Sequence, residues 1–276
     1  MAVTISDIAK LRKMTGAGMM DCKKALTECD GDIEKAKDWL REKGMAKAEK
    51  KSSRVAAEGQ VASFITDDAQ FGVLVEVNVE TDFAAATPKF KNFVDAIGAQ
   101  IMATKPADIE ALKASAMYND ASKTVEVFTK EAIADVSENI SVRRFVSFDA
   151  ANGAVASYIH AGGKVGVIAE FALADSSKAS SDAFKTVAKD IGMQIAASTP
   201  NWVVESDVPQ AEIDKETEII TKKALEEGKP EKIIADRIVP GQIKNFYKLN
   251  VLLDQEFVKD DSLTVAQYLA TVNKDL

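Results

Sequence analysis

The chain has 276 residues, of which 46% are apolar, enough for two or three compact units that each bury a core. Its 35 Lys and Arg against 43 Asp and Glu give a net charge of −8, which argues against binding to a phosphate backbone, so we expect no nucleic-acid partner. No segment approaches the roughly 18 uncharged apolar residues of a membrane span, and residues 1–7 lack the basic start of a secretion signal, so we expect a cytoplasmic protein without a membrane partner.

Residues 1–54 predict a bundle of three short helices followed by a linker. The first helix begins at a capping-box pattern formed by Thr4 and Asp7, and Gly16 ends it. Two further helices follow over about residues 19–29 and 32–44, the last ending at Gly44. Residues 46–54 are charged and show no apolar face, which indicates the linker. The expected core residues stand at helical spacing: Ile5, Ile8, Leu11, Ile33, Ala36, Trp39 and Leu40.

An internal repeat dominates the middle of the chain. Residues 56–106 and 150–200 align without a gap at an offset of 94, and 19 of 51 positions are identical where chance gives about three. Each copy predicts a β-hairpin followed by a helix, so we infer a tandem duplication within an α+β fold. Between the copies, residues 107–140 predict a helix and residues 141–148 a strand.

A helical hairpin is expected after the second copy. Ile213, Thr217, Ile220 and Ala224 step by four, three and four residues, as in a coiled-coil seam, and Gly228-Lys229-Pro230 reverses the chain. Because so narrow a stripe buries little surface, the hairpin either projects toward another protein or packs on the body.

Two places carry apolar side chains that folding does not obviously require. The first copy has Asp82-Phe83 between strand and helix, where the second has Ser176-Ser177. Phe83 is therefore either an anchor for a partner's pocket or a hydrophobic staple on the following helix. Met19 and Met20 stand side by side at a helix start, where both cannot face inward, so one is expected to be an exposed contact.

Residues for metal or nucleophilic chemistry are scarce. His160 is the only histidine, which excludes paired-histidine sites, and taken alone it is more readily structural. Cys22 and Cys29 are seven residues apart on a predicted helix, about 10.5 Å of rise, too far for a disulfide. The glycine-containing runs before Lys23 and Lys164 lack the strand-loop-helix context of a phosphate-binding loop. We therefore expect no enzyme activity, no cofactor and no metal.

Two motifs resemble the bacterial translation elongation factor Ts family. They are Leu11-Arg12 followed by TGAGMMDCKKAL over residues 15–26, and EVNVETDF over residues 76–83. Shorter similar stretches lie at residues 137–144, 157–160 and 228–230, so the resemblance covers nearly the whole chain. With it we expect a bundle like a ubiquitin-associated (UBA) domain and its linker over 1–54, core units over 55–140 and 141–200 with 239–276 returning to the core, and a protruding antiparallel helical hairpin over 201–238.

The resemblance implies a guanine-nucleotide exchange factor for elongation factor Tu in its GDP-bound form, without chemistry of its own. Thr81, Asp82, Phe83 and Ala84 would form a loop that enters this GTPase near its magnesium and phosphate site. In some members of the family the helical hairpin serves homodimerisation. The other implied partner-binding positions are Arg12, Met19, Met20, Val136 and His160.

Two other classes stay open at this point. A non-catalytic scaffold would bind a peptide or helix through the bundle while the duplicated core dimerises, and its affinity would ignore GDP. An enzyme with a site between the repeats would need a cleft lined by clustered acids or lysines, and the sequence offers no such cluster.

Overall fold

The computed structural model describes residues 3–272. The mixture of helices and strands confirms the α+β class. The chain divides into two compact units, the first formed by Met1–Phe64, Gly72–Ser147 and Ile159–Gly166, the second by Ile65–Phe71, Phe148–Tyr158 and Val167–Leu276. Within residues 3–272, no helix is both long and apolar enough to cross a bilayer. The finer division into four domains stays a prediction.

The first half of the chain contains the N-terminal helices, a three-stranded sheet in the order β1-β2-β5, and a short two-stranded sheet. Its elements are α1 (Ile5–Thr15), α2 (Met19–Glu28), α3 (Ile33–Lys51), β1 (Glu58–Ile65), β2 (Phe71–Val79), α4 (Asp82–Ala85), α5 (Pro88–Thr104), α6 (Ile109–Ala114), β3 (Ala116–Met117), β4 (Asp120–Thr124), α7 (Val125–Val136) and β5 (Ile140–Asp149).

The second half contains the β6-β7 and β8-β9 sheets and the helical hairpin. Its elements are β6 (Gly153–His160), β7 (Val165–Ala172), a 3₁₀-helix (Ser176–Ser180), α8 (Asp182–Ser198), a 3₁₀-helix (Glu205–Asp207), α9 (Gln210–Glu226), α10 (Glu231–Ile233), a π-helical turn (Ile234–Ile238), α11 (Val239–Asn250), a 3₁₀-helix (Leu252–Asp254), β8 (Glu256–Phe257), β9 (Asp260–Thr264) and α12 (Val265–Val272).

The N-terminal bundle begins as the sequence predicts. Thr4 and Asp7 form the capping box of α1, and the hydrogen bonds from the Thr4 hydroxyl and N–H hold the pKa of Asp7 below its usual range. Gly16 ends α1 in the left-handed conformation, at φ +70°. The bundle core contains Ile8, Leu11, Cys22, Ala25, Leu26 and Ala36.

Two predictions for α3 are wrong, because the helix continues past Gly44 to Lys51 and residues 46–51 are not a linker. The reason is packing of α3 against α7, where Ala48 is only 1% exposed. A Cβ at Gly44 would stand 3.2 Å from the Ala134 Cβ, so this glycine permits a close helix contact instead of ending a helix. Tertiary packing overrides the local signal here.

The prediction of a single helix over residues 107–140 is also wrong for residues 116–124, between α6 and α7. The antiparallel hairpin β3-β4 interrupts it, with Met117 opposite Asp120. Asp120 accepts hydrogen bonds from both the N–H and the hydroxyl of Ser122, which turns the chain locally and favours a hairpin over a helix.

Glycines hold equivalent close contacts at the two repeat copies, 94 residues apart. A Cβ at Gly98 would lie 2.0 Å from the Phe64 ring, and one at Gly192 would lie 2.5 Å from the Tyr158 Cβ. In each copy, therefore, a long helix lies directly against an aromatic residue of its hairpin. Gly59 and Gly153 are a second such pair, each approaching the carbonyl oxygen of the neighbouring strand.

The structural correspondence extends beyond the aligned segments. The β8-β9 hairpin and α12 follow the same pattern as β3-β4 and α7, and Met117 opposite Asp120 corresponds to Phe257 opposite Asp260. Between α8 and β8 lies the helical hairpin. Its α9 seam is present as predicted, with Ile220 and Ala224 buried, and α11 packs against α9.

A buried ionic contact fixes the last helix of the second unit. The Asp190 carboxylate is 5% exposed and accepts hydrogen bonds from Lys259 Nζ at 3.0 Å and from the Tyr268 hydroxyl at 2.9 Å. Burial of the phenol, together with the hydrogen bond to Asp190, raises the pKa of Tyr268 from 10.0 to about 12.

We expect Gly98→Ala to destabilise the protein by about 1–3 kcal/mol, because the new methyl group would overlap the Phe64 ring. Gly241→Ala is the matched control in α11: no atom lies within 4 Å of its added Cβ, and helix propensity favours the change by up to about 1 kcal/mol. Urea unfolding measures both. A Gly98→Ala midpoint at or above that of wild type would contradict the close contact.

We expect Tyr268 to stabilise the fold in a pH-dependent way. Because its folded pKa is raised, its contribution is complete below pH 10 and is lost as pH rises toward about 12. Urea unfolding of wild type and Tyr268→Phe between pH 8 and 11 measures this difference, and the comparison cancels the titration of other groups. A wild-type advantage that grows with pH would be the opposite of this expectation.

Candidate protein-interaction sites

The residues that follow β2 form a short turn that hydrogen bonds fix at both ends; we refer to residues 81–87 as the Asp-Phe turn. The Thr81 hydroxyl caps α4 by accepting the Ala84 N–H at 3.2 Å. The Thr87 hydroxyl donates to the Ala84 carbonyl at 2.7 Å and accepts the Phe90 N–H at the start of α5. The turn is thus a single helical turn held between two caps.

Phe83 lies at the outer side of this turn, with 83% of its surface exposed. Asp82 beside it is also exposed and accepts the Phe83 N–H at 2.9 Å, whereas Ala84 is buried beneath them. The ring is therefore not a hydrophobic staple on α5, and that alternative is wrong. An exposed aromatic ring on a fixed backbone is a typical anchor for a partner's pocket.

The second copy makes the same connection without an aromatic residue. Ser177 occupies the position of Phe83, and Asp175 replaces Thr81 as the cap of a 3₁₀-helix. Hydrogen bonds from the Ser177 hydroxyl and N–H hold the pKa of Asp175 below its usual range. The scaffold therefore does not need Phe83 in order to join the strand to the helix.

Glu138 and Asn139, which lie between α7 and β5, fix the start of the Asp-Phe turn through hydrogen bonds. No sequence pattern predicts this role. Glu138 accepts the Thr81 N–H and hydroxyl at 3.0 and 2.9 Å, while the Asn139 N–H donates to Glu80 at 2.6 Å. These partners are separated by 57 and 59 residues, so no local spacing could reveal them.

The N-terminal bundle presents a second exposed surface. Arg12 and Met19 line a shallow depression of about 320 Å³ together with Ile5, Ala9 and Lys13. Met20 is 76% exposed and lies on the same helix start. Ile5, which we expected in the core, is 81% exposed and contributes to this surface instead.

Comparison with known proteins places the chain in a family. The family model described as Elongation factor TS matches residues 80–276, and one described as Elongation factor Ts, mitochondrial, N-terminal matches residues 1–49. The elongation factor Ts of Trichlorobacter lovleyi is 49% identical over all of this chain and 88% of the relative. Those of Clostridium perfringens and Halothermothrix orenii are 46% and 45% identical over 99% and 98% of this chain, and 88% of each relative. The chain belongs to the elongation factor Ts family.

Both surfaces fall within the segments matched by the elongation factor Ts models. Residues 1–49 include Arg12, Met19 and Met20, while the segment from Glu80 onward includes the Asp-Phe turn and Glu138. In the residues described, 3–272, no cluster of His, Cys, Asp and Glu has the arrangement of a metal site.

The remaining candidate positions lie at the ends of elements in the first unit. Val136 is half-buried at the end of α7, where the adjacent Asp135 accepts Lys89 Nζ at 2.7 Å. A Cβ at Gly16 of the bundle would lie 3.6 Å from the same Asp135 carboxylate. The end of α7 thus lies between the bundle and the start of α5.

His160 is exposed at the end of β6. The turn that follows it lies against β1, because the Val61 N–H donates to the Gly163 carbonyl at 2.7 Å. His160 therefore belongs to the first unit, as the Asp-Phe turn does.

Proposed function

We propose that this protein binds elongation factor Tu in its GDP-bound form and promotes the release of GDP, with the Asp-Phe turn entering the GTPase near its magnesium and phosphate site. Membership of the elongation factor Ts family supports the exchange role and a place in the cytoplasm, where translation occurs. The observation that carries the proposal for the turn is Phe83, exposed on a backbone fixed from both sides.

The inserted Asp-Phe turn would act by displacing the GTPase groups that bind Mg²⁺ and the phosphates of the nucleotide. Bound nucleotide is held largely through its phosphates and Mg²⁺, and each charge-assisted hydrogen bond contributes about 1.5–3 kcal/mol. The loss of two or three of these bonds would accelerate release by several powers of ten. The factor would accelerate dissociation of the nucleotide, and no covalent bond would be made or broken.

Thermodynamic linkage then accounts for turnover. If the factor weakens nucleotide binding, the nucleotide weakens binding of the factor by the same ratio. Rebinding of GTP or GDP therefore ejects the factor without any energy source. Deforming the GTPase must be offset by contacts elsewhere, so a wide interface made by several modules is expected.

The bundle is proposed to supply part of that affinity. Arg12, Met19 and Met20 would contact the GTPase, with the bundle resembling a UBA domain, and Val136 and His160 would contact it near the Asp-Phe turn. The depression is lined by one flexible methionine, Met19, and two cations, Arg12 and Lys13, a combination that suits a helical partner surface. The helical hairpin is proposed as the homodimerisation element.

We expect Phe83→Ala to reduce the catalytic efficiency of GDP release by roughly tenfold or more, because truncating an aromatic anchor commonly costs over 1.4 kcal/mol. Release of fluorescent GDP from elongation factor Tu measures this effect. Tyr118→Ala is the matched control, since Tyr118 is another exposed aromatic of the first unit, 53% exposed, and should behave as wild type.

The same assay separates the alternatives. If wild type does not accelerate release, and a pull-down of elongation factor Tu is unaffected by added GDP and Mg²⁺, the protein is a scaffold and the exchange proposal is wrong. If wild type is active and Phe83→Ala equally so, only the assignment of the turn is wrong.

We expect Met19→Ala, which truncates the methionine that lines the depression, to raise the KM for elongation factor Tu by roughly threefold to tenfold while leaving kcat nearly unchanged, since a contact made equally in all bound states contributes only affinity. Met14→Ala is the control, because Met14 is an exposed methionine of the same bundle that does not line the depression. Steady-state exchange kinetics at varied elongation factor Tu concentration measure both. A loss of kcat at saturation would contradict this role.

A further inference from the structure

The Asp-Phe turn is fixed by a carboxylate that neither of its own flanking elements supplies. Glu138 lies between α7 and β5, and its two carboxylate oxygens accept three hydrogen bonds from Thr81: the N–H at 3.0 Å and the hydroxyl at 2.9 and 3.1 Å. Bonds to an ionised acceptor are about twice as strong as neutral ones. Thr81 thus has its backbone and its side chain fixed by a single partner.

This contact continues into the turn that carries the ring. Because the Thr81 hydroxyl donates its hydrogen to Glu138, its lone pairs are directed toward the Ala84 N–H, which it accepts at 3.2 Å. Hydrogen bonds in such a chain polarise and strengthen one another. The geometry therefore connects Glu138, through Thr81, to the backbone of the residue that follows Phe83.

The adjacent residue ties the same turn to the N-terminal helices. The Asn139 N–H donates to Glu80, the residue before Thr81, at 2.6 Å. Its side-chain amide donates to the Ser52 and Arg54 carbonyls just after α3, at 3.2 and 2.7 Å. The pair Glu138-Asn139 therefore joins the start of the Asp-Phe turn to the end of the helix that leads from the bundle.

We propose that Glu138 is a positioning residue, which holds the Asp-Phe turn in the conformation that presents Phe83 to the GTPase. This inference rests on the proposed exchange function. A ring that is already fixed loses less conformational freedom when it is inserted, so the benefit of the contact is expected at the insertion step and not in the affinity of the bundle. The second copy agrees with this specialisation, since there Asp175 caps its turn with its own carboxylate and no ring follows.

The first test is independent of the GTPase. In Glu138→Gln, an isosteric change, we expect the Ala84 and Ala85 amides of the full-length protein to exchange hydrogen roughly tenfold faster than in wild type, as expected for the loss of a charge-assisted bond. Glu126→Gln is the matched control: it removes the same charge from an α7 residue whose ion pair is with Lys130, and should leave these amides unchanged. Unchanged exchange in Glu138→Gln would overturn the proposal.

The second test asks whether the effect reaches GDP release through the ring. We expect Glu138→Gln to lower kcat by about fivefold to tenfold with KM changed by less than about twofold, and to have no further effect in a Phe83→Ala background. Thr81→Val, which removes only the hydroxyl, should reproduce the loss. A merely structural role would give the same fractional loss in both backgrounds, and that result would overturn the proposal.

The two proposals fail in different ways. If wild type does not release GDP, the exchange function is wrong, while hydrogen exchange still decides whether Glu138 fixes the turn. If wild type is active, Phe83→Ala is impaired and Glu138→Gln matches wild type, only the positioning role is wrong. Thermal unfolding of each variant identifies one that has lost its fold, and Thr81→Val then replaces Glu138→Gln as the deciding variant.

Discussion

The need to satisfy one buried amide side chain determines how each unit closes. Gln100 is fully buried in α5; its Nε2 donates to the Ala116 carbonyl and its Oε1 accepts the Tyr118 N–H. Gln194 is fully buried in α8 and makes the equivalent bonds to the Glu256 carbonyl and the Val258 N–H. A buried polar group without a partner costs about 1–3 kcal/mol, so each long helix requires a hairpin with its backbone groups at this place. The β-hairpin, β3-β4 in the first unit and β8-β9 in the second, in turn orients the helix that follows it, which is α7 or α12.

This closure explains how the helical hairpin is accommodated. The glutamine and the carbonyl it binds are 16 residues apart in the first unit and 62 residues apart in the second. The two ends of the helical hairpin lie side by side, because the Asn201 N–H donates to the Asn250 carbonyl and the Leu252 N–H donates to the Trp202 carbonyl. The entropic cost of closing a loop grows only slowly with its length. Because the two ends of the helical hairpin are paired with each other, its length adds little to this cost. The helical hairpin is thus an insertion that leaves the contact between the buried glutamine and the β-hairpin intact, and it is available for other contacts.

Local signals in the sequence predicted what local physics determines. The capping box of Thr4, the αL glycine Gly16 and the seam that contains Ile220 depend on neighbours within a few residues, and all are present. Gly44 predicts a helix end that the structure does not show, because α7, far along the chain, makes continuation of α3 favourable. The second part of the duplication is not visible in the alignment because the helical hairpin shifts the offset. In addition, the two buried glutamines bind backbone carbonyls, which any residue can supply. The role of Glu138 leaves no periodic pattern either, because its partner Thr81 lies 57 residues away in the sequence.

The duplication also separates what Phe83 does for folding from what it does for binding. Both copies pass from strand to helix through a capped turn, and the second does so with Ser177 in place of the ring. An exposed phenylalanine contributes little to a core, so folding gives no reason for it. At the same connection the first copy also differs in what fixes the turn, with Thr81 bound by a carboxylate from another element. Two independent departures from the shared pattern, an exposed ring and an external support for its backbone, coincide at one turn. Rigidity under an exposed aromatic is advantageous when that ring must enter another protein, because the ordering cost is met during folding and not during binding.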